Sequence, residues 1–417
     1  MKNHSAAVVF ALFLMVSCPG AAEENWSGWR GARGDGISRH REVPLSWTPS
    51  ENIAWKTPLA GAGRSSPIIW GRRVFLTTSL PTDHTRHVLC LDIATGQVMW
   101  DTVVHRGAEG KMHKFNTPAS STPTTDGERV YAIFIDEQGM QVVATDVQGR
   151  IVWSKRPGTF YSQHGFAASP VLYRDGLVVN GHQDGEAFVV MLDARTGEER
   201  WRYKPAINLR SFSTPVLTQQ DGRDLLILTG ASQTAALDPL DGQLIWHVQG
   251  PSEKFVCTPS VGHGMVFSFG GSPEKIAMAI RLGGSGNVAA SHVAWRIERG
   301  MPYVPTPLLY GDLLHIVNDL GIYTCLEPAT GKTLFSKRAF GPMYSSPIAV
   351  EERIYFFEDT GRCTVVRNGR DLDVLATNEL GAEVYTTPAV ADGCLIVRTV
   401  SHVVRIGTRN AAANEPQ

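Results

Sequence analysis

The chain has 417 residues, 43% of them apolar, and its 39 basic residues nearly balance its 40 acidic ones. This length accommodates two or three ordinary domains or one large β architecture, and the apolar share is ample for a large core. The charge balance removes any overall electrostatic argument for binding nucleic acid or an anionic membrane surface.

The N-terminus is typical of an export signal. Lys2 gives a positive start, residues 6–16 are an unbroken apolar run, and small residues occupy positions 20–22. We therefore predict a signal peptide over residues 1–22 and a periplasmic or extracellular protein. The run is too short to span a bilayer of about 30 Å as a helix. Because "MVSC" resembles a bacterial lipoprotein signal, the alternative is a lipid on Cys18, which would be the only membrane attachment.

Residues 23–50 are predicted to form an N-terminal extension that packs on the main fold. Its segment "WSGWRGARGDGIS" (26–38) contains two aromatic side chains that we expect to pin it in place, Trp26 and Trp29. Tight turns are expected at Arg30, Gly31, Gly34 and Gly36. The alternative is a binding site formed by Arg30 or Arg33 with Asp35.

A ten-residue motif recurs along the rest of the chain. Its copies are "LDIATGQVMW" (91–100), "TDVQGRIVW" (145–153), "LDARTGEERW" (192–201), "LDPLDGQLIW" (237–246) and "LEPATGKTLF" (326–335). In each copy an aromatic residue follows the glycine by four positions. An acidic side chain accepts hydrogen bonds from the turn, glycine supplies a positive φ, and the next strand places the aromatic on a fixed face. Each copy therefore predicts a hairpin that ends in a packing aromatic.

A Ser-Pro or Thr-Pro step followed by an apolar run marks the other half of the repeat. The steps are Ser66-Pro67, Thr122-Pro123, Ser169-Pro170, Thr214-Pro215, Thr258-Pro259, Thr306-Pro307, Ser346-Pro347 and Thr387-Pro388. Successive prolines are 56, 47, 45, 44, 48, 40 and 41 residues apart. A period of about 40 to 50 residues with four short strands is typical of a propeller blade. The sequence thus predicts an all-β, eight-bladed β-propeller over residues 51–408, followed by a disordered tail, 409–417.

Three blades depart from the repeat. The fifth keeps only Trp295 after its altered turn, and the seventh keeps only Asn368-Gly369. The eighth stops before its fourth strand, and "NIAWKT" (52–57) is the expected replacement because an N-terminal strand there would leave no open sheet edge. The aromatics expected to pack between blades are Trp55, Trp100, Trp153, Trp201, Trp246, Trp295 and Phe335.

The repeated "LDxxTGxxxW" pattern with its preceding Ser/Thr-Pro step resembles the pyrroloquinoline quinone (PQQ) repeat. That family includes the quinoprotein alcohol dehydrogenases and the BamB-like propellers of bacterial outer-membrane assembly, and the resemblance covers about residues 51–407. In the dehydrogenases it implies calcium, a catalytic Asp and a disulfide between adjacent cysteines. This chain has no adjacent cysteines and is shorter than those dehydrogenases, so PQQ with calcium is not the expected cofactor.

Other candidate sites are sparse. The histidines of "HTRH", His84 and His87, have a spacing that can hold a metal, but no third ligand follows and we expect loop residues. The cysteines beyond the signal are odd in number and widely spread, which argues against a disulfide framework. They are Cys90, Cys257, Cys325, Cys363 and Cys394.

The central channel is the best predicted ligand site, because the residues just before each Pro step begin the innermost strands. Those residues are cations, an imidazole and phenols that suit an anionic or sugar-like ligand, unless they only fill the ring. They are Arg64, His164, Arg210, Lys254, Tyr303, Tyr344 and Tyr385.

Two classes of function follow. The first is a monomeric, exported, non-catalytic scaffold that binds a protein or another cell-envelope component. The second is an enzyme, either a PQQ-dependent dehydrogenase or a propeller acting on saccharides. Since no converging set of acid, base or metal ligands is evident, we favour the first class.

Overall fold

A computed structural model describes residues 25–407 and shows eight β-sheets arranged as the blades of a propeller. Each blade contains four antiparallel strands, the first of which follows a Ser/Thr-Pro step near the axis; blades 4 and 7 each have one further, parallel strand. The predicted signal peptide and the predicted tail lie outside the described residues. Within 25–407, no helix is long and apolar enough to cross a membrane.

The strands of blades 1 to 4 follow one another along the chain. Blade 1 comprises Ile68–Trp70, Arg73–Leu80, Thr85–Asp92 and Val98–Arg106, with a short 3₁₀ turn at Pro81–Asp83; blade 2 comprises Thr124–Thr125, Arg129–Asp136, Gly139–Asp146 and Ile151–Gly158. Blade 3 comprises Val171–Tyr173, Gly176–Gly181, Phe188–Asp193 and Glu199–Tyr203; blade 4 comprises Val216–Gln220, Arg223–Gly230, Gln233–Leu237 and Leu244–Gln249.

Blades 5 to 8 continue the series, and the last returns to the N-terminus. Blade 5 comprises Ser260–Gly262, Met265–Gly270, Ile276–Arg281 and Val293–Ile297, with a helical turn at Ala289–His292; blade 6 comprises Leu308–Tyr310, Leu313–Val317, Ile322–Leu326 and Thr333–Arg338. Blade 7 comprises Ile348–Val350, Arg353–Phe357, Arg362–Arg367 and Val374–Glu379, and Ile37–Ser38 of the extension pairs parallel with its first strand. Blade 8 comprises Ala389–Ala391, Cys394–Arg398, His402–Ile406 and Ile53–Pro58.

The predicted ring closure is confirmed. Ile53–Pro58 pairs antiparallel with His402–Ile406, placing Trp55 opposite Arg405. The two segments therefore form one sheet, and blade 8 has four strands like blade 1.

The Ser/Thr-Pro steps form a belt of hydrogen bonds around the axis. The backbone N–H of the Ser or Thr in one blade donates to the hydroxyl of its counterpart in the next, as from Ser66 to Thr122 at 2.8 Å. Thr387 donates to Ser66 at 3.0 Å, which closes the belt between blade 8 and blade 1. Five further bonds continue it, Ser169 to Thr214, Thr214 to Thr258, Thr258 to Thr306, Thr306 to Ser346 and Ser346 to Thr387. Seven of the eight blade junctions thus have this bond, and the described residues show none from Thr122 to Ser169. A hydroxyl is needed here because it satisfies a buried N–H of the neighbouring blade.

The aromatics at the repeat ends join each blade to the next. The Trp201 indole N–H donates to the Pro239 carbonyl at 3.1 Å, and a Cβ on Gly242 of that same turn would lie 2.5 Å from the Trp201 ring. Glycine is therefore required there both for its φ of 74° and for the close approach of the ring. Equivalent bonds run from Trp55 to Ile93, Trp100 to Val147, Trp153 to Ala194 and Trp295 to Pro328.

The degenerate blades use other parts of the chain. Blade 5 lacks the repeat turn, and Gly286–Asn287 instead adds a parallel strand beside Trp246. Blade 7 has Ala376 at the aromatic position of its outer strand. Trp47 of the extension lies nearby, its ring stacked 6.0 Å from that of Phe357, and supplies the missing aromatic from outside the blade.

Candidate functional site

A cavity of about 370 Å³ occupies the axis at the face where each first strand begins; we call it the mouth cavity. Its wall follows a simple rule, because the residue three positions before the proline lines it in every blade. These residues are Arg64, Ser120, Ala167, Phe212, Val256, Val304, Tyr344 and Tyr385. The sequence spacing thus determines which side chains surround the axis.

Five of the seven predicted channel residues line this cavity. They are Arg64, His164, Tyr303, Tyr344 and Tyr385. Aromatic contacts link several of them: the Tyr344 and Tyr385 rings lie 6.0 Å apart, and the Arg64 guanidinium lies 3.8 Å from the Tyr385 centroid. Tyr344, Tyr385 and Arg64 therefore form one continuous part of the wall.

Arg210 and Lys254 do not line the cavity. Both lie five positions before their proline, and the wall positions of their blades belong to Phe212 and Val256. Arg210 is paired with Asp184, whose carboxylate accepts from both its backbone and its guanidinium. The backbone of Lys254 bridges to Ser272. The wall at blades 4 and 5 is consequently apolar rather than cationic.

The connection between blades 1 and 2 adds two further rings to the mouth. His113 stacks with His164 at 5.9 Å, and Phe115 reaches across to Tyr344 at 5.6 Å. Asn116 anchors this connection by donating to the carbonyls of His164 and Phe166. Phe115 remains 43% exposed at the entrance. The spacing of the repeat gives no sign of these contacts, because they arise in a connection rather than in a strand.

The N-terminal extension closes the opposite end of the channel. Trp29 lines the mouth cavity and also a second cavity, of about 490 Å³, on the other side of residues 27–35. Arg30 is fully buried and donates to the Thr306 carbonyl at 2.8 Å, while Trp26 bridges to Ile69 of blade 1. Arg33 pairs with Asp35 at 2.7 Å on the surface of this segment. The mouth cavity is therefore a pocket with Trp29 at its floor.

The two sides of the mouth differ in charge. On one side, burial raises the pKa of Asp359 to about 6; the Tyr344 amide and Arg64 oppose this rise, and Glu383 and Asp319 add to it. On the other side, burial and then the charges of Arg210 and His113 lower the pKa of His164. Its Nδ1 atom is buried and has no hydrogen-bond partner among residues 25–407. The mouth thus combines apolar rings with an acidic side and a basic side.

The two histidines of "HTRH" do not converge. His84 is exposed in a left-handed turn, whereas His87 is buried and bonds Asp101 and Thr85 at 2.7 and 2.8 Å. In the described part of the chain, no group of three or more His, Cys, Asp or Glu side chains could hold a metal ion. The five described cysteines are free and buried.

Solved structures of low sequence identity share this fold. BamB from Moraxella catarrhalis is 13% identical over 85% of this chain and 96% of its own, with a TM-score of 0.60. The quinohemoprotein alcohol dehydrogenase from Comamonas testosteroni is 12% identical over 94% of this chain and 82% of its own, with a TM-score of 0.65. The computationally designed Ika8 protein is 13% identical over 84% and 98%, with a TM-score of 0.59. At these identities the similarity shows the fold alone, which a scaffold and an enzyme have in common.

The family comparison uses sequence rather than shape. No curated protein matches the chain. The family model described as "Outer membrane protein assembly factor BamB" matches residues 41–154 and 84–281, which together are more than half of the 417 residues. The chain therefore belongs to the BamB family of PQQ-like repeat propellers.

Proposed function

We propose that this protein is an exported, non-catalytic propeller that binds a segment of another cell-envelope protein in its mouth cavity. The observation that carries the proposal is the shape and lining of the cavity, which is closed by Trp29 and surrounded by aromatic rings. Exposed Tyr, Phe and Trp side chains around a pocket are typical of protein-binding hot spots. The family's role as an outer-membrane assembly factor supports a protein partner in that envelope.

The dehydrogenase alternative requires a calcium ion beside a quinone. Calcium takes six to eight oxygen ligands, several of them carboxylates. Near the mouth, Asp319 accepts the amides of Tyr303 and Val304 at 2.9 and 3.0 Å, and Asp359 accepts the amide of Tyr344 at 2.9 Å. Because the carboxylates are separately engaged, the residues present do not fit a calcium site of that kind.

Site-specific photocrosslinking in the producing cell tests the proposal. A benzophenone amino acid at Phe115, at the entrance, is expected to yield a discrete adduct with one envelope protein. The matched control is the same amino acid at Ile151, which is 47% exposed on the outer strand of blade 2. Adducts of equal yield from both positions, or none from Phe115, would count against binding at the mouth.

A titration of the purified protein with PQQ and Ca²⁺ tests the alternative. We expect no saturable heat by calorimetry and no rise in melting temperature. Saturable binding together with oxidation of an alcohol would replace the scaffold proposal with a dehydrogenase.

A further inference from the structure

Arg64 is a half-buried cation in the wall of the mouth cavity. Its guanidinium lies over the Tyr385 ring at 3.8 Å, and no hydrogen bond to an acceptor is found for it in residues 25–407. Glu383 and Asp359 act on it electrostatically, but neither forms an ion pair with it there. Its donors therefore remain available to a ligand.

A second arginine lies behind it with no carboxylate partner. Arg398, at the end of the second strand of blade 8, is 1% exposed and donates to the Ser65 hydroxyl at 2.7 Å and to the Thr77 carbonyl at 2.6 Å. Its Nε atom has no partner in the described chain. Burial and then the charge of Arg64 lower its pKa to about 9.

Such a buried charge is costly unless something compensates it. The fold nevertheless makes room for this one, because a Cβ on Gly63 would lie 2.1 Å from its Nη2 atom. Neither arginine forms an ion pair within residues 25–407, although Glu383 and Asp359 act electrostatically on Arg64. An anion that accepts hydrogen bonds from the Arg64 guanidinium would give this cation its first ion pair, with Arg398 behind it.

The rest of the cavity restricts what can carry that anion. The wall opposite and beside Arg64 is formed by rings and aliphatic groups, including Phe115, Phe212 and Val256. The hydroxyls of Ser66 and Thr387, which also line the cavity, already accept hydrogen bonds in the belt. Since Trp29 closes the floor, an extended chain cannot pass through and only a chain end or a protruding loop can enter.

We propose that the mouth cavity recognises a carboxylate next to an apolar side chain on the partner polypeptide, with the carboxylate bound by the Arg64 guanidinium. Arg398 adds a second positive charge behind it, and the rings hold the apolar side chain. This inference rests on the proposed function and specifies the chemistry of its partner. The carboxylate belongs either to a C-terminal residue or to an internal Asp or Glu, and both present the same group to a guanidinium fork.

Fluorescent peptides distinguish these sources. The probes are Gly-Ser-Gly-Phe with a free C-terminal carboxylate, the same peptide as its amide, and amidated Gly-Asp-Phe-Gly, each labelled at its N-terminus and measured by anisotropy. We expect one of the two acidic peptides to bind at least about tenfold more tightly than the neutral amide. The first would identify a chain end as the ligand, and the third an acidic side chain.

Variants show whether Arg64 is responsible. Arg64→Gln is expected to weaken binding of the acidic peptide at least about tenfold, and Arg64→Lys, which keeps the charge without the fork, by less. Arg281→Gln is the matched control, since Arg281 is exposed at the far end of its strand and its loss changes net charge equally. Its affinity should be unchanged.

Three results would overturn the inference: equal affinity for acid and amide, unchanged binding by Arg64→Gln, or no binding of either acidic peptide up to about 1 mM. Failure here remains distinguishable from failure of the proposed function. If Phe115 crosslinks to an envelope protein with equal yield in the Arg64→Gln background, the mouth binds a protein without using a carboxylate.

Discussion

The Arg64 guanidinium lies 3.8 Å from the centre of the Tyr385 ring, so a residue that begins blade 1 contacts one that begins blade 8. Such a contact stabilises a cation without consuming its hydrogen-bond donors. Ring closure by Ile53–Pro58 fixes blade 8 beside blade 1 and thereby places this pair at the mouth. The same closure brings Arg398 beside Ser65, and the local charge follows from the topology of the ring.

Asp359 should make the free energy of unfolding of the protein depend on pH. Burial raises its pKa from 3.8 to about 6, with Arg64 opposing and Glu383 and Asp319 adding to the rise. The folded state therefore holds this proton more tightly than the unfolded chain, and the stabilisation is lost as pH rises from about 4 to 6. Allowing for solvent screening, Asp359→Asn should be more stable than the parent by about 1 to 2 kcal/mol at pH 8 and by little at pH 4.

Urea unfolding at the two pH values measures this difference. Asp83→Asn is the control, because Asp83 lies exposed in the 3₁₀ turn of blade 1. A stability difference for Asp359→Asn that is the same at pH 4 and pH 8 would show that its charge does not matter.

Two tryptophans separate the packing role of the aromatic from its hydrogen bond. Trp201→Ala should cost about 3 to 5 kcal/mol, since the buried ring joins two blades. Trp201→Phe keeps a ring but removes the hydrogen bond to the Pro239 carbonyl. The loss of that bond should lower the free energy of unfolding by about 1 kcal/mol. Trp246 is the internal control, because its indole N–H is buried and has no partner in residues 25–407.

Chemical denaturation of the four variants, including Trp246→Phe and Trp246→Ala, provides the comparison. We expect Trp246→Phe to lose less stability than Trp201→Phe. A neutral Trp201→Ala would mean that the aromatic does not hold adjacent blades together.

The sequence predicted the ring well because its determinants are local. A regular blade is specified by a glycine with positive φ, an acidic turn residue and a Ser/Thr-Pro step, all of which act within a few residues. The number of these repeats predicts the number of blades. The sequence also predicts the replacement strand around Trp55, because a Trp precedes the first Ser-Pro step there as in the other repeats. By contrast, the aromatic that blade 7 lacks comes from Trp47, and no local rule connects that residue to Ala376.

The mouth was predicted only in part, for a related reason. The general position just before a Pro step predicts Arg210 and Lys254, whereas the constant spacing of three residues before proline selects Phe212 and Val256. The floor at Trp29 depends on packing of a distant segment across the channel. Arg398 lies in an apolar strand, "CLIVR", where its burial follows from tertiary contacts alone.

The belt of hydroxyls makes a separate prediction about local stability. Thr306 accepts the Thr258 amide at 3.0 Å, and both residues are buried. Thr306→Val keeps the shape but leaves that amide without a partner, at a cost of about 1 to 3 kcal/mol. Thr306→Ser retains the acceptor and loses only a methyl group.

Native-state hydrogen exchange at the Thr258 amide checks this. Exchange should accelerate in Thr306→Val and remain close to the parent rate in Thr306→Ser. Equal protection in the two variants would mean that the hydroxyl does not bind the neighbouring blade.

Removal of residues 51–58 should be the most disruptive change, because it deletes the fourth strand of blade 8 while leaving every repeat intact. His402–Ile406 would then expose unpaired N–H and C=O groups along a buried, apolar strand. We expect the deleted protein to unfold at lower temperature or to form oligomers through this edge, as measured by calorimetry and light scattering. Deletion of residues 409–417 is the control, and it should change neither property. A monomeric 51–58 deletion with the parent melting temperature would show that the ring does not need its N-terminal strand, and the placement of Arg64 beside Tyr385 would then require another explanation.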